Sequence, residues 1–142
     1  MTASYTAKAI ALLLGAAVAL NTARAHENDK GKPAALPEAA NAEEAWTNAQ
    51  TALKAIQTAA SAKKYDAIHD DQEKLAAALK QVQEKGKATD KARFEGALKN
   101  AIAASERVHV GADAKDPGKV ESGLRALEAS MQIAERYFAL EK

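Results

Sequence analysis

Residues 105–120 read SERVHVGADAKDPGKV, and the reading of this stretch decides the fold. It holds the end of one helix and the start of another, with no room between them for a strand. Gly111 follows an amphipathic run and is placed to stop it in a left-handed conformation. Asp116 followed by Pro117 is an N-cap followed by a proline at the first helical position, where its missing N–H costs nothing. Two helices joined by so short a link pack side by side and run in opposite directions.

The pattern extends both ways from that link. Helix 3 is expected over about Lys91 to Val110, capped by Thr89 or Asp90. Its apolar face holds Phe94, Ala97, Leu98, Ala101, Ile102, Ala104, Ser105 and Val108. Helix 4 runs from Pro117 almost to the C-terminus on a seam of Val120, Leu124, Leu127, Met131, Ala134 and Phe138. Upstream, EKGKATD (84–90) breaks the pattern at Gly86. Helix 2 precedes it over about Tyr65 to Glu84, with Tyr65, Ile68, Gln72, Leu75, Leu79 and Val82 on one face. SAKK (61–64) makes a short turn. Helix 1 runs to about Ala62 through Ala39, Ala42, Trp46, Ala49, Leu53, Ile56 and Ala60, in steps of three and four. It starts at Pro37, or later if Asn41 and Glu44 form a capping pair. No strand-like alternation and no hairpin dipeptide competes. The expected fold is all-α, an antiparallel up-down-up-down four-helix bundle over residues 37–142, after a cleaved signal peptide.

That signal is residues 1–25, MTASYTAKAIALLLGAAVALNTARA. Lys8 precedes an apolar run from Ala9 to Leu20, and Ala23-Arg24-Ala25 is a small-x-small cleavage pattern. The run is shorter than the roughly 20 residues a membrane span needs, so the expectation is a soluble periplasmic protein, not inserted in a membrane after cleavage. Residues 26–36 are polar, with Gly31 and Pro33, and read as a flexible N-terminal tail.

Composition narrows the chemistry. The 142-residue chain carries a formal net charge of +1, and two of its cations leave with the signal. Near neutrality gives no electrostatic reason to bind nucleic acid or anionic lipid. The chain has no cysteine, so it offers neither disulfides nor thiolate ligands nor a nucleophilic thiol. It has no nucleophile elbow, no phosphate-binding glycine loop and no HExxH pair, so no catalytic residue is assigned and the protein is read as a non-enzyme. Aromatics are only 4%, which suits alanine-rich helices packed closely through small residues.

The bundle gives the histidines positions. His69 near the start of helix 2 and His109 at the end of helix 3 fall at the same end. Folding helix 2 on helix 3 about residues 86–87 puts His69 level with Ala104 or Ser105, and His109 about five residues lower, roughly 7 Å. Glu73, Asp70 and Asp113 are the nearest oxygen ligands. Two imidazoles with carboxylate suit a divalent transition metal such as Cu, Zn or Ni, and the metal residues expected are His69, His109, Glu73 and Asp113. A histidine in the last turn of a helix is also accounted for by the helix dipole alone. His26, at the N-terminus left by cleavage, would chelate copper with its amine and ring, or be a solvated tail residue. Helix 1 is roughly 36 Å long at about 24 residues, so the tail joins the other two only when fully stretched. Met131 and Trp46 read as core filling and core anchor.

GKVESGLRALEASMQIAERYF (118–138) resembles the last helix of the periplasmic soluble cytochrome b family, the b-562 type. In that family an axial histidine follows a tyrosine near the C-terminus. Here Tyr137 matches the tyrosine, and Phe138 stands where the histidine would be. The family's other ligand is a methionine near the start of helix 1, and no methionine stands there. The resemblance therefore implies the exported four-helix layout and not bis-ligated haem b. YDAIHDD (65–71) and SERVHVGAD (105–113) also look like small exported helical bundles encoded beside metal-efflux systems, which implies a metal ion or an exported or membrane efflux protein as partner. Three functions follow as expectations. One is a binding module in transition-metal homeostasis. The second is a structural or protein-interaction bundle without small ligand, and the third a divergent haem-binding protein.

Overall fold

The computed structural model describes residues 36–139; residues 1–25, read above as a signal peptide, and His26 lie outside them. Four helices make up nearly all of it: α1 (Ala42–Ser61), α2 (Ile68–Lys85), α3 (Lys91–Asp113) and α4 (Pro117–Tyr137). The fold is all-α. Two two-residue strands are the exception to the expected absence of strand: β1 (Lys87–Ala88) pairs antiparallel with β2 (Phe138–Ala139). The pairing arises because Phe138 leaves α4 in an extended conformation to stack on Phe94, 5.6 Å between ring centroids.

Local chemistry sets most boundaries. Asn41 caps α1 by accepting from the Glu44 N–H at 2.8 Å, while the Glu44 carboxylate accepts from the Ala40 N–H at 2.7 Å. The helix therefore starts at Ala42 and not at Pro37. Asp90 and Asp116 cap α3 and α4, each accepting from the N–H three residues on at 3.1 Å. Residues Tyr65–Ala67 form a 3-10 turn before α2, which shifts the expected start of helix 2 to Ile68.

One expected boundary moves further. Helix α3 does not stop at Gly111 in a left-handed conformation; it continues to Asp113. The left-handed residue is Lys115, at φ 50°, whose N–H donates to the Ala112 carbonyl at 2.9 Å. Gly111 serves packing instead. A Cβ there would stand 2.8 Å from the Val120 backbone nitrogen, so only glycine lets α4 start so close. Gly123 plays the same part from α4, where a Cβ would fall 2.8 Å from Val108 Cγ2 and 3.0 Å from the Val108 nitrogen.

The core follows the seams read from sequence. Ile56, Ile68, Leu75, Leu79, Val82, Leu98, Val108 and Leu127 are fully buried, with Trp46, Phe94 and Phe138 clustered at one end. Met131 is buried among them. Helix α3 packs broadly on α4, α1 on α2, and α2 on α3, whereas α1 and α4 meet sparsely. Across that loose seam Gln57 Nε2 donates to Glu128 Oε1 at 2.6 Å. Ahead of α1, residues 38–39 close on the far end of α2, where Gln81 Oε1 accepts from the Ala39 N–H at 2.8 Å and Lys85 Nζ donates to Glu38 at 2.9 Å. Among the described residues, no helix is long and apolar enough to cross a membrane.

Candidate metal centre

The first turn of α2 and the last turns of α3 lie side by side, and the buried Gln72 fixes their register. Its Nε2 donates to Ser105 Oγ at 3.2 Å and to Glu106 Oε1 at 2.9 Å. Gln72 is 3% exposed, so losing these partners leaves a buried amide unsatisfied, and the register is specified strongly. With residue 72 level with 105–106, residue 69 falls level with about 108–109.

That register removes the offset of roughly 7 Å expected from a fold about residues 86–87. Helix α2 ends at Lys85 and α3 begins at Lys91, so the turning point is near Ala88. The link is held there by β1, and by the Thr89 N–H donating to the Tyr137 carbonyl at 2.9 Å. His69 and His109 consequently meet: their Nδ1 atoms are 3.2 Å apart and their ring centroids 4.6 Å apart, with planes inclined at 46°.

Each ring has a carboxylate four residues further along its own helix. Glu73 Oε1 lies 3.3 Å from His69 Nε2, and Asp113 Oδ2 lies 3.2 Å from His109 Nε2. The second of these pairs exists only because α3 runs on past Gly111, which keeps Asp113 on the same helical face as His109. Asp70 is exposed and is not among the partners of either ring. The four expected metal residues are therefore brought together, but in a definite order: carboxylate, ring, ring, carboxylate. The carboxylates stand at Nε2, on the side of each ring away from the meeting point.

This order has a chemical consequence. A carboxylate beside Nε2 favours the proton on that nitrogen. The lone pairs then reside on the two Nδ1 atoms, which face each other. Two lone pairs at 3.2 Å repel unless a proton or a cation lies between them. The span also suits a metal, because two nitrogens about 2.0–2.1 Å from a tetrahedral zinc are about 3.3 Å apart. A carboxylate behind a ligating imidazole is the usual device that orients the ring and raises its basicity. Glu73 and Asp113 fit that supporting part. Among the described residues, no group of three or more His, Asp or Glu side chains converges to hold a metal ion. The pair is open to solvent on one side, with the His69 side chain 51% and the His109 side chain 19% exposed.

Sequence reasoning missed two contributors, Glu106 and Ser105, which anchor Gln72 beneath the histidines. The signal was Gln72 itself, a polar residue on an apolar seam. Phe138 is buried and stacked on Phe94. A second surface feature lies on α3 and α4. A cleft of about 590 Å³ between α3 and α4 is lined by Arg107, Val110, Lys119, Ser122 and Ala126, with Val110 59% exposed. No model of a known protein family matches the chain, and no curated protein matches it.

Proposed function

We propose that this protein is an exported, non-enzymatic binding module for a divalent transition metal, built as an up-down-up-down bundle whose α2–α3 edge carries the site. His69 and His109 ligate through Nδ1, and Glu73 and Asp113 hold the rings from behind. The observation that carries this reading is the facing of two imidazole Nδ1 atoms at 3.2 Å with a carboxylate at each far nitrogen. Export rests on the N-terminal segment read as a signal, and the bundle topology on the short links between packed helices. In this reading the resemblance to soluble b-type cytochromes extends to layout and not to haem.

Calorimetric titration of the purified protein with Cu²⁺, Zn²⁺ and Ni²⁺ tests the proposal. Binding of at least one metal is expected, and its loss in the His69→Ala/His109→Ala double variant. Unchanged binding in that variant would move the site elsewhere, and absence of binding to all three ions would end the proposal. A second reading, a protein-interaction bundle, draws on the α3–α4 cleft and its exposed Val110. It expects a partner captured from a periplasmic extract, with capture lost in Val110→Glu.

A further inference from the structure

The metal reading leaves a coordination sphere half made. Two Nδ1 atoms 3.2 Å apart supply two ligands. Glu73 and Asp113 are held at the opposite nitrogens, and the described residues offer no third member to the group. Structural zinc is almost always four-coordinate and tetrahedral, so two positions are left to fill, at a pair whose His69 ring is half exposed.

We propose that a second copy of this chain completes the sphere, so that one divalent metal is held by His69 and His109 of two chains related by a twofold axis through the ion. The inference rests on the metal reading above and adds the partner. A twofold axis is the economical solution, because a single pair of side chains used twice gives four nitrogens and needs no further ligand. The span is compatible with it: an N···N distance near that of two tetrahedral ligands, with no third ligand among the described residues, leaves two of four positions to be filled. The charges nearest the rings are the carboxylates Glu73 and Asp113, with Asp70 exposed on the same helix as His69, and a dication on the axis offsets the acidic groups that two copies bring together; Lys63, Lys64 and Lys115 are exposed in the neighbouring links. The bundle itself does not depend on this contact, since its core is closed without it.

The test is sedimentation velocity of the chelator-stripped protein titrated with Zn²⁺, together with X-ray absorption at the zinc edge. The expected result is a monomer without metal and a doubling of mass that saturates at one zinc per two chains. It is reversed by chelator and absent in His69→Ala and in His109→Asn, both checked for native circular dichroism. The absorption spectrum is expected to count four imidazole nitrogens. A chain that stays monomeric while binding one zinc through two imidazoles and two oxygens would overturn the dimer and leave the metal reading intact. A dimer indifferent to zinc, or one that persists in both variants, would overturn it too. Failure to take up any of Zn²⁺, Cu²⁺ or Ni²⁺ at any protein concentration would overturn the metal reading, and the dimer with it.

Discussion

The close approach of α3 and α4 makes a sharp prediction about three glycines. Gly96, Gly111 and Gly123 all lie within helices, so glycine-to-alanine at each gains the same helix propensity, about 1 kcal/mol. What differs is the space for a Cβ. At Gly96 nothing lies within 4 Å. At Gly111 the new carbon meets the Val120 nitrogen at 2.8 Å and the Lys119 carbonyl carbon at 3.0 Å. At Gly123 it meets Val108 Cγ2 at 2.8 Å and the Val108 nitrogen at 3.0 Å. These neighbours are largely backbone, which yields only if the helices part. Overpacking of this kind costs about 1–3 kcal/mol. Gly96→Ala should therefore stabilise by about 0.5–1 kcal/mol, while Gly111→Ala and Gly123→Ala should end about 0–2 kcal/mol less stable than the parent. The propensity gain cancels between variants, so the difference from Gly96→Ala isolates the steric term at about 1–3 kcal/mol. Equilibrium urea unfolding followed by far-ultraviolet circular dichroism measures it, with equal m-values confirming that only stability has changed. Thermal midpoints should separate by about 4–8 °C for each kcal/mol. Equal stabilisation at all three positions would show that α3 and α4 are not in contact at Gly111 and Gly123, and the reasoning would fail.

Other outcomes follow from the same contacts. Gln72→Ala removes a buried amide that bonds Ser105 and Glu106, and a loss of about 2–3 kcal/mol is expected in urea unfolding. Glu73→Gln and Asp113→Asn leave both imidazoles in place, and each should weaken metal binding by about 10–100-fold in calorimetry; an unchanged affinity would remove the carboxylates from the site. Phe138→Ala empties a place between Trp46 and Phe94 and should cost about 3–5 kcal/mol. The Asp116 carboxyl is held below its ordinary range chiefly by the Lys119 N–H it accepts from, and that of Glu38 by its hydrogen bond from Lys85. Both are depressed in the folded state, so their contribution is present above the usual carboxylate range and is lost as pH falls below it, through the lowered folded-state values. In an acid titration of stability, Asp116→Asn and Glu38→Gln should each reduce the slope below that range.

Four helices and most of their buried faces were legible in the sequence, because the signals are local. Apolar residues every three or four positions define one face of a helix wherever it sits, and Asn41, Asp90 and Asp116 each satisfy an N–H only three residues away. The pairing of His69 with His109 at one end was likewise contained in helix order and link length. The distance between them was not. It depends on where the chain turns between Lys85 and Lys91, which is fixed by the pairing of Lys87 and Ala88 with residues fifty positions later and by Gln72 reaching α3. Gly111 shows the same division. Sequence alone marks it as a glycine near a helix end, which suits a left-handed stop; only the approach of α4 explains why the helix passes through it and why Lys115 takes the left-handed conformation instead. The two further residues of α3 put Asp113 beside His109, each carboxylate meets Nε2 from within its own helix, and the register brings the two Nδ1 atoms together. Which residues gather was thus a property of the sequence. Which atoms face each other was decided by contacts between distant segments, which no local pattern encodes.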